Sequence, residues 1–216
     1  QAMFSVRGKA LYTKMDFLFK MIGEILNSSK LEDTKRLYEI VASVKSRAQV
    51  NLTGAGHSTA VLRAAAYSSP MAAFQDEMAG IGYYQFIEKL EKDFEQRKEE
   101  TVEELCKLMK KILRPENFMI SYTGERESLE TVQKLAGAVK AGLGTEPVEK
   151  SKEKLTCTKK NEGFKTSGQV QYVAQTGNFK KKGLEYTGAL EILKVILSYD
   201  YLWMNLRVKG GAYGCM

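Results

Sequence analysis

Tyr199-Asp200-Tyr201-Leu202-Trp203-Met204-Asn205-Leu206-Arg207-Val208-Lys209-Gly210-Gly211-Ala212-Tyr213-Gly214 is the stretch that decides the reading of this chain. It overlaps the end of a segment, Glu185 to Tyr201, in which apolar residues nearly encircle a helix, so that helix is expected to be largely buried. A glycine-rich run then ends the pattern, and on spacing alone Arg207 and Tyr213 belong to a surface turn after a helix. Immediately upstream, Val170, Tyr172 and Ala174 alternate as a strand that stops at Gly177-Asn178. The stretch Gly144 to Ser167 is rich in Lys, Glu, Thr and Gly, has weak periodicity, and reads as a long connection.

Further towards the N-terminus the pattern is mostly helical. Met15, Leu18, Met21, Ile22, Ile25 and Leu26 recur at helical spacing, as do Leu37, Ile40, Val41, Val44 and Ala48. Gly54-Ala55-Gly56 interrupts the second helix before the alanine-rich run Ala60 to Ala66. Ser69-Pro70 reads as an N-cap followed by a first helical residue, where proline's missing N–H costs nothing. Gly80-Ile81-Gly82 ends that helix, and stripes over Tyr83–Phe94 and Val102–Ile112 follow until Pro115 stops them. Leu129 to Leu143 is a further helix. Two more segments alternate as strands, Met3 to Tyr12 and Asn117 to Thr123, the latter with Phe118, Ile120 and Tyr122 on one face. The expected fold class is therefore helix-rich α+β, with Gly124 the best domain boundary.

Composition narrows the function. The chain has 216 residues, 44% hydrophobic and 27% charged, with 3 Pro and 18 Gly, which is ordinary for a globular protein. No apolar run approaches the ~18 residues that cross a bilayer, so no membrane span is expected. Three widely spaced cysteines, Cys106, Cys157 and Cys215, fit a reducing compartment better than a disulfide framework. His57 is the one histidine, and no Cys/His pair has metal-ligand spacing, so no zinc site is expected in this chain. The formal net charge is +7. Between Glu88 and Arg114, eight acids and eight bases are ordered acids first, which complements a helix dipole on a solvated face. No signal peptide opens the sequence, and a chain that starts in a strand and stops in a turn is expected to be a piece of a longer protein.

Three stretches together resemble the pitrilysin/insulinase family of zinc metallopeptidases, in its presequence-protease branch. The first is Gly56-His57-Ser58 through Leu62-Arg63-Ala64-Ala65-Ala66-Tyr67-Ser68-Ser69-Pro70 and on to Ala79-Gly80-Ile81-Gly82-Tyr83-Tyr84-Gln85-Phe86-Ile87. The second is Val170-Gln171-Tyr172-Val173-Ala174 with Gly177-Asn178-Phe179. The third and most specific is Tyr199-Asp200-Tyr201-Leu202-Trp203 leading into Leu206-Arg207-Val208-Lys209-Gly210-Gly211-Ala212-Tyr213-Gly214. Members of the family are built as two similar halves that close around an unfolded peptide. Their zinc site, an H-x-x-E-H helix plus a distal glutamate, lies in the N-terminal half, and this sequence has no such motif.

The resemblance implies part of the C-terminal half: two partial two-layer domains, with residues 1–123 the end of a third peptidase-like domain and 124–216 the start of a fourth. It implies that Arg207 and Tyr213 project towards the scissile peptide, Tyr213 as an O–H donor to the oxygen that gains charge and Arg207 as a holder of substrate carbonyls. Gly210 and Gly211 then serve substrate binding by letting the backbone turn so that both side chains reach one site. The implied cofactor is zinc, bound by the N-terminal half, and the implied partners are that half and unfolded peptides. Location follows the parent: cytoplasmic in bacteria, mitochondrial or plastid matrix in organelles. Truncated sheets leave unpaired strand edges, so self-association is also expected. Two other readings stand beside this one. One is a non-catalytic scaffold of the same fold. The other is nucleic-acid binding through Lys159-Lys160 and Lys180-Lys181-Lys182, which no RNP, KH or zinc-knuckle signature supports.

Overall fold

A computed structural model describes residues 3–148 and 155–215. Met216 and residues 149–154 of the expected connection lie outside the described residues. The helices are α1 (Met15–Ser28), α2 (Thr34–Gly54), α3 (Gly56–Ala66), α4 (Pro70–Ala79), α5 (Ile81–Lys92), α6 (Phe94–Ile112), α7 (Leu129–Ala141) and α8 (Ala189–Ile196). A π-helix, Leu197–Lys209, continues from α8 without a break. The chain forms two compact units, one of Gln1–Ala55 with Glu77–Leu155, the other of Gly56–Asp76 with Thr156–Met216.

In the first unit the apolar stripes read from the sequence pair off. Met15 and Phe19 of α1 pack on Val132 and Val139 of α7, flanked by Leu18, Ile22, Leu135 and Ala136. Val41 of α2 meets Ile87 and Leu90 of α5 and Phe94 at the start of α6. Phe94 is only 1% exposed, and its ring lies 5.4 Å from that of Tyr38. Asp33 caps α2 by accepting a hydrogen bond from the Arg36 amide at 2.9 Å, satisfying one of the free donors of the first turn. Lys45 of α2 donates to the Glu91 carboxylate of α5 at the edge of the second cluster. Single residues break the helices: Ala55 between α2 and α3, Gly80 between α4 and α5, and Asp93 between α5 and α6.

The α+β expectation fails, because the described residues contain no strand. Asn117 ends a 3₁₀ turn and Phe118 is extended; Phe118 and Tyr122 do share a half-buried side, but what they face is the α1–α7 cluster. Alternation reports that one side of a segment is buried; it does not supply the neighbouring ladder that makes a strand. Met3 to Tyr12 is likewise unpaired and leads into a 3₁₀ turn at Tyr12–Lys14. With no strand there, the unpaired strand edges expected to drive self-association are also absent from the described residues.

The second unit holds a further correction. The Glu185–Tyr201 segment is helical from Ala189 but is not largely buried: Ile192 is 64% exposed, and Leu193, Val195, Ile196, Tyr199 and Tyr201 are exposed too. At the other end of this unit, Ser69 accepts from the Ala72 amide at 3.4 Å and Pro70 opens α4, as the capping signal indicates.

Candidate functional site

The π-helix carries the candidate site. Such helices, bonded i→i+5, usually appear as single turns, often at functional sites; this one runs for 13 residues. Trp203 and Arg207, four positions apart, share a face, and the Arg207 guanidinium carbon lies 4.4 Å from the centre of the indole ring. The helix is closed by a glycine cap. Gly211 has φ +72°, in the left-handed region that residues with a Cβ resist. Its amide donates to the Arg207 carbonyl at 3.0 Å, and the Ala212 amide donates to the Leu206 carbonyl at 3.0 Å. Each bond is one residue longer than its counterpart in a Schellman cap, as suits a helix wound one residue wider. At Gly210 a Cβ would stand 2.7 Å from the Leu206 carbonyl oxygen, so the cap admits no side chain there without moving.

This cap brings Arg207 and Tyr213 together. Arg207 Nη1 donates to the Tyr213 carbonyl oxygen, and the guanidinium carbon lies 5.7 Å from the Tyr213 ring centre. The guanidinium is thus placed by an aromatic platform on one side and a backbone acceptor on the other, with further donors left over. Tyr213 is 92% exposed, its phenol directed into open solvent. The amides of Gly210 and Gly211 both point at the Arg207 carbonyl, so these glycines act through backbone shape in this conformation.

The other singled-out residues lie apart from this pair in their contacts, though Cys215 stands two positions after Tyr213. His57, second residue of α3, has its ring 6.2 Å from that of Tyr172. Cys106, Cys157 and Cys215 are half-buried free thiols. Lys180, Lys181 and Lys182 sit on a 3₁₀ turn that ends at Gly183. Among the described residues no group of three or more His, Cys, Asp or Glu side chains could hold a metal ion, so the donor set present does not fit zinc. No helix there is long and apolar enough to cross a membrane.

Sequence reasoning missed a second polar cluster. Arg63 of α3 donates from Nη1 to Asp76 Oδ2 at 2.6 Å, and from Nε and Nη2 to the two Glu162 oxygens at 2.9 and 3.4 Å. The Tyr67 hydroxyl donates to Glu162 as well. Burial opposes the Arg63 charge, but the hydrogen bonds to Glu162 and Asp76 outweigh it and hold the guanidinium above its ordinary value. The available signal was a lone charge inside the apolar run Ala60-Val61-Leu62-Arg63-Ala64-Ala65-Ala66, which demands a partner if buried. The partners themselves lie 13 and 99 positions away.

Comparison with known proteins gives consistent likenesses. Residues 1–90 match the family described as associated with the M16 peptidases of subfamily C. The chain is 35% identical over 206 residues to Protein HypA of Clostridium perfringens, covering 95% of this chain and 21% of that protein. It is 28% identical over 213 residues to Presequence protease 1, chloroplastic/mitochondrial, of Arabidopsis thaliana, covering 97% and 19% respectively. With Presequence protease, mitochondrial, of Yarrowia lipolytica it shares 27% identity over 222 residues, covering 99% and 22%. The chain spans about one fifth of the length of these curated relatives.

Proposed function

We propose, from the premise that this chain belongs to the presequence-protease-like branch of the insulinase peptidase family, that it contributes substrate and transition-state binding to a zinc-dependent endopeptidase acting on short unfolded peptides. On this reading it is wall of the peptide chamber, with residues 1–123 closing a third peptidase-like domain and 124–216 opening a fourth. Zinc would be held by the N-terminal half, the donor set of the described residues here not fitting it. The partners are that half and the peptide. The compartment follows the parent: cytoplasm in a bacterium, mitochondrial or plastid matrix in an organelle, the relatives' names being chloroplastic/mitochondrial and mitochondrial.

The observation that carries the proposal is the pairing of Arg207 with Tyr213 on one glycine cap, the phenol in the open. A phenol O–H aimed at an oxygen gaining charge stabilises the tetrahedral intermediate, and a donor of this kind is worth roughly 2.7–4 kcal/mol of barrier. The planar guanidinium, oriented by Trp203, offers a fork to peptide carbonyls. The cap supports both roles by bringing the two residues to one place through the Arg207 bond to the Tyr213 carbonyl.

The test is hydrolysis of a quenched fluorescent, unstructured peptide by this chain alone and by the full-length peptidase that carries it. Turnover by the full-length protein only, abolished by a chelator and restored by zinc, is the expected result. A folded, zinc-loaded full-length protein without activity would make the scaffold reading the better one.

A further inference from the structure

Residues 156–177 follow no helix, and among the described residues no backbone–backbone hydrogen bond joins them to any other segment. Whatever holds them to their unit must be side chains. Contacts along α3 and the turn after it do so. Tyr172 lies against Gly56 and His57, the Phe164 ring lies 5.8 Å from the Arg63 guanidinium carbon, Glu162 reaches Arg63 and Tyr67, and just past the segment Asn178 donates to the Ser68 carbonyl at 3.3 Å. Of these, the Glu162–Arg63 contact is the one that pairs two opposite full charges.

The Glu162 contact has the anatomy of a binding site. Arg63 presents two guanidinium nitrogens as a fork to both carboxylate oxygens, the geometry in which arginine recognises carboxylates most strongly. Tyr67 adds a hydroxyl donor to the same Oε2. Asp76, 3% exposed, binds the remaining nitrogen from behind and fixes the plane of the fork. The Tyr67 and Phe164 rings lie 5.3 and 5.8 Å from the guanidinium carbon. The Arg63 and Glu162 side chains are 17% and 25% exposed, partly out of water, where such bonds gain strength. Lys160, 3.7 Å from Glu162, is the other charge facing the carboxylate.

We propose that Arg63 and Tyr67 form a carboxylate receptor on α3 whose resident ligand is Glu162, and that this docking pins the helix-free segment 156–168 as a releasable strap. The proposal does not depend on the peptidase reading. Because no backbone hydrogen bond holds it, the strap loosens when the carboxylate leaves, with only the Phe164 ring then remaining against Arg63 within it.

Limited trypsin digestion tests this, since Lys159, Lys160 and Lys165 flank Glu162 within the strap. In the intact chain cleavage at these lysines is expected to be slow at low salt and to accelerate in 1 M NaCl, where screening length falls to about 3 Å. Glu162→Gln, which keeps shape and removes charge, should raise the cleavage rate about tenfold and abolish the salt effect. Arg63→Lys should act similarly, and the double variant should be no faster than either single one, the signature of one shared contact. Unchanged hydrogen exchange in α2 and α5 identifies the change as local. Glu162→Gln cleaved at the wild-type rate, or effects of the two substitutions that simply multiply, would overturn the proposal.

Discussion

The Arg207 guanidinium carbon lies 4.4 Å from the centre of the Trp203 ring, one turn below it on the π-helix. This contact orients the only charged group of the candidate pair, and it lies on the solvent side of its unit, where both residues are open to a ligand. The chain contains a single tryptophan, so its fluorescence reads the contact directly. Arg207→Met is expected to change the emission of the native chain and leave that of the urea-unfolded chain as it was. In peptidase assays Trp203→Ala should raise the KM for peptide several-fold, from the loss of a partly exposed cation–π contact of about 0.5–1 kcal/mol.

Two glycine substitutions separate conformation from space. Gly211 has φ +72°, and alanine there should cost about 1–2 kcal/mol by forcing a Cβ into the left-handed region. Gly23 lies inside α1 with open space around it, so Gly23→Ala should stabilise by about 0.5–1 kcal/mol. Urea denaturation of the two variants should move the midpoint in opposite directions.

Apolar substitutions should divide by unit. Phe94→Ala empties the most buried side chain of the α2–α5 cluster and should cost about 3–5 kcal/mol. Ile192→Ala, on the exposed α8, should stay within about 0.5 kcal/mol. A loss at Ile192 as large as that at Phe94 would mean that α8 is covered in solution.

How these features relate to the sequence is uneven for physical reasons. The paired stripes of α1, α2, α5 and α7 were legible because each helix buries one face, and a buried face leaves a 3.6-residue period. The breaks at Ala55 and Gly80 were legible because glycine punctuates them. The absence of ladders was not: Phe118 and Tyr122 alternate because α1 and α7 cover one side of them, and alternation is silent about whether the neighbour is a strand. Nor was the π-helix, since polar Ser198, Asp200 and Asn205 are spread through Leu197 to Leu206 without a period from which its winding could be read. At the candidate site, Arg207, Gly210, Gly211 and Tyr213 were named from the sequence through a family likeness. Trp203 as the platform beneath Arg207 emerged only with coordinates, as did the Arg63–Glu162 pairing across 99 positions.

The Lys45–Glu91 pair sets a pH dependence. The hydrogen bond to Glu91 leads in holding the Lys45 ammonium above its ordinary 10.5, with the Glu91, Tyr84 and Glu88 charges adding to it and desolvation opposing. A group whose folded pKa is raised stabilises fully below its unfolded pKa and loses that contribution as pH climbs through the folded one. The native chain should therefore lose some stability as pH climbs past the ordinary lysine value of 10.5. Lys45→Met should flatten that part of the curve of Tm against pH.

The central claim concerns the Tyr213 phenol, and one measurement reaches it: kcat for an unstructured peptide in the full-length, zinc-loaded peptidase carrying Tyr213→Phe. Phenylalanine keeps the ring beside Arg207 and removes only the donor. A fall in kcat on the order of a hundredfold or more, with KM little changed, is the result expected of a hydrogen bond made in the transition state. A variant that turns over within twofold of the parent would contradict the assignment of Tyr213.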